Sequence, residues 1–83
     1  MPTYAPSERE TARRREVGER IRLARRHANL SQMQVGERAG LSHKTISRIE
    51  LAQSDPTLGM LISLADAIGV PLDDLVREQN RPH

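Results

Sequence analysis

The chain contains no cysteine, tryptophan or phenylalanine, and Tyr4 is its one aromatic residue. Without cysteine there is neither a disulfide framework nor a thiolate zinc site to hold a small protein together. Without large aromatics the core must come from Leu, Ile, Val, Ala and Met, which suits a small helical bundle. No apolar run approaches the ~18 residues of a membrane span, and Met1 to Glu10 lacks the apolar stretch of a signal peptide. A soluble cytoplasmic protein with no membrane partner is therefore expected. His27, His43 and His83 lack metal-ligand spacing, and no pattern pairs a nucleophile with a base. Neither an enzyme, nor a metal, nor a cofactor is expected.

What remains is short and unevenly charged. The 83 residues suffice for one core, because a chain near this size buries only roughly 60% of its unfolded surface. Residues 1–30 carry eight Arg against four Glu, whereas residues 51–83 carry two Arg against five acids. A basic front half is suited to a polyanionic partner, although a net charge of +2 is also what ordinary solvated Arg-rich helix faces give.

The apolar spacing predicts five helices and no strand. "MPTYAP" reads as a mobile arm, assigned to residues 1–10. In "SERE", Ser7 and Glu10 match a capping box, so a long first helix can start there. Its inner stripe is Val17, Ile21, Ala24 and Ala28, Gly18 weakens it, and Asn29 is a plausible stop. Ser31 and Gln34 form a second capping box for a helix that turns Val35 and Ala39 inward and ends at Gly40. A third helix, capped by Ser42, runs to Glu50. After "LAQSDP", Thr57 caps a fourth helix with an apolar face of Leu58, Leu61, Leu64, Ala65 and Ile68. Pro71 pre-sets a short fifth helix, where Asp73 and Asp74 suit the positive end of the helix dipole. The globular unit is assigned to residues 11–76, and residues 77–83 to a frayed tail.

The third helix, within "SHKTISRIE", carries the functional signal. At about 100° per residue, Ile49 returns to within about 60° of Ile46, so these two define an inward face. Lys44, Ser47 and Arg48 then point outward, and His43 and Lys44 occupy the protruding first turn. A helix about 10–12 Å in diameter fits the DNA major groove. There Arg48 can make a bidentate contact to guanine, and Lys44 can do likewise or reach phosphate. Ser42 and Thr45 hydroxyls suit phosphate, and His43 can donate or accept. Taken alone, Lys44 and Arg48 could equally be a solvated ridge, and His43 an ordinary exposed histidine.

The stretch "LSQMQVGERAGLSHKTISRIE" with the ending "DPTLGMLISLADAIGVPLDDL" resembles the helix-turn-helix domain of the Cro and phage-repressor family, over residues 17–76. The resemblance implies an all-α, five-helix lambda-repressor-like fold, with the helix-turn-helix formed by helices 2 and 3. It implies a recognition helix at residues 43–50, with His43, Lys44, Ser47 and Arg48 as base readers. It places Gln32 and Ser42 at the DNA backbone, where the Thr45 hydroxyl is also assigned, and implies a structural ion pair between Arg25 and Glu50. Arg25 lies one step beyond Ile21 on the helical stripe, which agrees with such a tie. Among Arg13, Arg14 and Arg15, which fan around a helix, Arg14 is assigned to phosphate. A solvated Arg-rich turn reads equally well. Tyr4 is expected to cover an apolar edge.

Three features depart from the family pattern. Gly36 stands where Ala is usual, "ELAQSDP" lacks the glycine that often follows the terminal Glu, and Pro71 replaces a frequent capping residue. The implied partners are double-stranded DNA and a second copy of the chain, with an inverted repeat as target. The alternative is a protein-interaction module of the same fold, an antitoxin or coactivator that docks a toxin or the transcription machinery.

Overall fold

A computed structural model describes residues 4–78, and these form five helices without a strand: α1 (Glu8–His27), α2 (Gln32–Ala39), α3 (His43–Glu50), α4 (Leu58–Ile68) and α5 (Leu72–Val76). Residues 1–3 and 79–83, parts of the assigned arm and tail, lie outside the described residues. Residues 8–10, assigned to the arm, form the first turn of α1. Ser7 caps that turn by accepting the Glu10 amide at 3.1 Å. Glu10 does not complete a box. Its carboxylate accepts from the Tyr4 hydroxyl, which raises the Tyr4 pKa. Tyr4 therefore covers no apolar edge and is exposed.

Local chemistry ends each helix where the chain must turn. After α1, Asn29 adopts a left-handed conformation (φ 60°) and Leu30 N–H returns to the Arg25 carbonyl at 3.1 Å, the wrapped ending that Asn tolerates. Ala28, assigned to the inner stripe, is instead the exposed C-cap. Ser31 and Gln34 close a complete capping box at 3.0 and 2.8 Å. Gly40, with φ 73°, ends α2. Pro71 is the N-cap of α5, with extended ψ of 147°, rather than its first helical residue.

The core gathers Ile21 of α1, Val35 of α2, Ile46 and Ile49 of α3, Leu64, Ala65, Ala67 and Ile68 of α4, and Leu75 of α5. Helix α1 packs on α3, α4 and α5, while α2 packs on α3 and α4. The wholly aliphatic set removes large apolar area from water with no polar atom to satisfy, which drives the association. Leu58, assigned to the inner face of α4, is 65% exposed, whereas Met60 and Leu61 of the same turn pack against the core. Ala67 takes part in the core instead.

Two glycines mark where backbones approach too closely for a side chain. A Cβ on Gly18 would stand 2.6 Å from the Glu50 carbonyl oxygen and 2.7 Å from that of Ile49. Gly18 is thus the crossing point of α1 over the end of α3, a positive requirement rather than a weakness in the helix. A Cβ on Gly36 would stand 2.3 Å from the Leu41 carbonyl oxygen, so the α2–α3 turn folds back onto α2 and excludes the Ala usual in the resemblance. Gly18→Ala is expected to destabilise the protein by about 1–3 kcal/mol through overpacking, despite a propensity gain of about 1 kcal/mol. Urea unfolding of the two proteins checks this, and an unchanged midpoint would show that the crossing can relax.

Candidate nucleic-acid interface

Helix α3 is held along one side and open along the other. Ile46 is fully buried and Ile49 nearly so, whereas His43, Lys44 and Arg48 are exposed and Thr45 and Ser47 are half-buried. Lys44 and Arg48, four residues apart, share a ridge, and neither has an ion-pair or hydrogen-bond partner among the described residues. The start of α3 is fixed by Ser42, whose Oγ accepts the Thr45 amide at 3.1 Å and lies 3.0 Å from the Thr45 hydroxyl. Both hydroxyls therefore have an internal partner before any ligand arrives.

The end of α3 is fixed by a buried carboxylate. Arg25 of α1 donates Nε to Glu50 Oε2 at 2.7 Å and Nη2 to Oε1 at 3.0 Å, a bidentate fork. Its Nη1 donates to the Leu30 carbonyl at 2.9 Å. Gln32, the first residue of α2, donates Nε2 to Glu50 Oε1 at 3.2 Å. The Glu50 side chain is 2% exposed and that of Arg25 12%. The expected Arg25–Glu50 tie is thus a four-residue junction of α1, the α1–α2 turn, α2 and α3. Gln32 stands beside α3 with its amide nitrogen directed at Glu50.

Beyond Glu50 the chain turns at Ala52, whose φ of 57° is left-handed. Gln53 N–H meets the Arg48 carbonyl at 2.8 Å and Ala52 N–H that of Ile49 at 3.1 Å. This is the ending that glycine commonly supplies; with Ala it carries roughly 1 kcal/mol of strain. The sequence pattern lacked the glycine, yet the turn forms.

The arginines of the basic front half are largely engaged within the fold. Arg13 donates to the Val76 carbonyl and pairs with Glu16 at 2.9 Å. Arg20 donates to the Asp74 carbonyl at 3.0 Å, so both fasten α5 onto α1. Arg38 donates to the Ala67 carbonyl at 3.2 Å. On the surface, Arg22 bonds Glu19 twice at 3.0 Å and holds that carboxyl below its usual range. Arg14, assigned to phosphate, lies 2.6 Å from Asp55. These carbonyl partners follow from tertiary packing and have no sequence signature.

Residues 16–79 match the helix-turn-helix domain family. The chain belongs to the Cro and phage-repressor type of this family. It is 35% identical over 63 residues to the immunity repressor protein of Bacillus phage phi105, a match covering 76% of this chain and 44% of the repressor. It therefore spans less than half the length of that relative. An uncharacterized HTH-type transcriptional regulator of Sinorhizobium fredii is 36% identical over 63 residues, covering 76% of this chain and 82% of the regulator. Among solved structures, the restriction-modification controller protein of Aeromonas hydrophila aligns with a TM-score of 0.75 at 26% identity, covering 77% of this chain and 97% of that one. The P22 c2 repressor, solved with a synthetic operator, aligns with a TM-score of 0.69 at 30% identity, covering 76% and 96%. The chain thus has an all-α, lambda-repressor-like fold of the helix-turn-helix domain family.

Glu50→Ala leaves the Arg25 guanidinium facing a buried void. A loss of about 3–5 kcal/mol is expected, as for one partner removed from a buried pair. Thermal denaturation measures it; a melting temperature equal to that of the wild type would remove the junction from its structural role.

Proposed function

We propose that this helix-turn-helix domain binds operator DNA as a homodimer, with α3 in the major groove. His43, Lys44, Ser47 and Arg48 meet base edges, while Gln32, Ser42, Thr45 and Arg14 lie toward the sugar-phosphate backbone. The observation that carries the reading is the asymmetry of α3. One face is locked by Ile46, Ile49 and Glu50, and the other presents uncommitted Lys44 and Arg48 beside His43. A rigidly held helix with free cations on its outer ridge is what base readout requires, because specificity depends on fixed donor positions.

A polyanion-binding face with few free charges gains affinity from duplication. Leu58 and Ile62, one turn apart on α4, are 65% and 44% exposed, an apolar strip that favours a second copy through the C-terminal helices. A two-fold dimer places two α3 helices about one DNA turn apart and reads an inverted repeat. The same strip supports the second reading, in which a protein-interaction module of this fold docks a toxin or part of the transcription machinery. No base-selective binding is required in that case.

Selection of bound fragments from a random duplex pool separates the two. The dimeric reader enriches a palindrome with half-sites about 10 base pairs apart. Arg48→Ala then relaxes preference at one or two positions, at a cost of about 1–3 kcal/mol. A pool with no enriched palindrome favours the interaction module, and equal losses on every sequence would show that Arg48 reads no base.

A further inference from the structure

Two arginine–carboxylate pairs connect α1 to the region around the end of α3, and they differ in kind. Arg25 and Glu50 form a buried fork with aligned hydrogen bonds. Arg14 lies one turn before Gly18, the crossing point of α1 and α3, and from there reaches the α3–α4 loop. Its Nε stands 2.6 Å from Asp55 Oδ1, with the two side chains 35% and 72% exposed. Although Arg14 Nε is itself buried, it has no aligned hydrogen-bond acceptor. The contact is a charge pair facing water rather than a fork. Such pairs are weak and readily exchanged. Arg14 and Asp55 also line a cleft of about 200 Å³ whose other walls include Val17, Gly18, Ile49, Pro56 and Leu61.

The place of the loop gives the pair its meaning. In the proposed pose the loop that follows α3 leaves the groove past its phosphate edge, and Asp55 lies on that loop. Asp55 thus brings a negative charge to a negative wall, next to a cation of the kind that such a wall attracts. Carboxylate and phosphate present the same oxygen geometry to a guanidinium.

We propose that Asp55 stands in for a DNA phosphate in the free protein, holding Arg14 until a duplex displaces it. The inference rests on the reading of α3 as the DNA-reading helix. On binding, the guanidinium exchanges one anionic oxygen partner for another, a condensed cation leaves the DNA, and Asp55 is returned to water. Asp55 thereby sets the backbone affinity of the domain without touching base readout, since neither Asp55 nor Arg14 lies on α3.

Fluorescence-anisotropy titrations of wild type, Asp55→Asn, Arg14→Ala and the double variant test this on a selected palindromic duplex and on a random duplex, over a range of salt. Asp55→Asn is expected to tighten binding about two- to fivefold on both duplexes. The log–log salt slope should stay nearly unchanged, because Arg14 meets phosphate in both complexes, whereas Arg14→Ala should flatten it by about 0.9 per subunit. In the Arg14→Ala background the gain from Asp55→Asn should shrink. An equal gain in both backgrounds would mean that Asp55 only repels DNA, and weaker binding by Asp55→Asn would mean that it orients Arg14; either overturns the exchange. A wild type that selects a palindrome but shows no coupling overturns this inference alone. A wild type that binds neither duplex overturns the DNA-reading assignment with it.

Discussion

Glu50 places a carboxylate where almost no water reaches it, and the arrangement of the first three helices follows from satisfying that charge. An ionised carboxylate removed from water costs several kcal/mol unless donors replace its hydration. Arg25 supplies two donors from α1 and Gln32 one from the start of α2, while the remaining arm of Arg25 closes the α1–α2 turn at Leu30. Gly18 permits the approach by letting α1 lie against the last carbonyls of α3. At the opposite end, the turn folded onto Gly36 and the Ser42 cap fix where α3 begins. The side chains between those two anchors have little freedom to drift, which is the condition for reading a surface as regular as base edges.

The same arrangement explains why a chain with so many arginines in its first thirty residues is not a strongly basic surface. Arg13 and Arg20 fasten α5 to α1 through backbone carbonyls, Arg25 neutralises Glu50, and Arg14 faces Asp55. Lys44 and Arg48 are the cations left on the open ridge of α3. In the proposed function, selectivity then comes from a few fixed side chains repeated by symmetry, and the non-specific term is kept modest.

Much of this was legible in the sequence because it depends on local rules. The alternation that buries Ile46 and Ile49 while exposing Lys44 and Arg48 is helical periodicity, and the caps at Ser31, Ser42 and Thr57 are short-range hydrogen bonding. The Arg25–Glu50 tie came from the family resemblance, with helical spacing in agreement. Features set by tertiary approach were not legible. Gly18 read as a weak point because the partner backbone it admits is about thirty residues away in the chain. Leu58 read as core because periodicity does not report which apolar residue at a helix start meets a partner; Met60 and Leu61 do and Leu58 does not. Ala52 shows the reverse case: the turn keeps its left-handed form without the glycine that would signal it, because the hydrogen bonds to Arg48 and Ile49 outweigh the strain. The partners of Arg14 and Arg38 likewise depended on loops and carbonyls that only the folded chain brings into reach.

The central claim is that a helix pinned by the Glu50 junction carries the DNA contact as a rigid unit. Amide chemical-shift mapping of isotope-labelled protein during titration with its selected duplex tests it most directly. The account predicts the largest shifts at His43, Lys44, Ser47 and Arg48 and at the start of α2, with Ile46, Ile49 and the side-chain resonances of Arg25 little changed. Shifts concentrated on α5 and the C-terminal half of α1, with the α3 ridge silent, would contradict it.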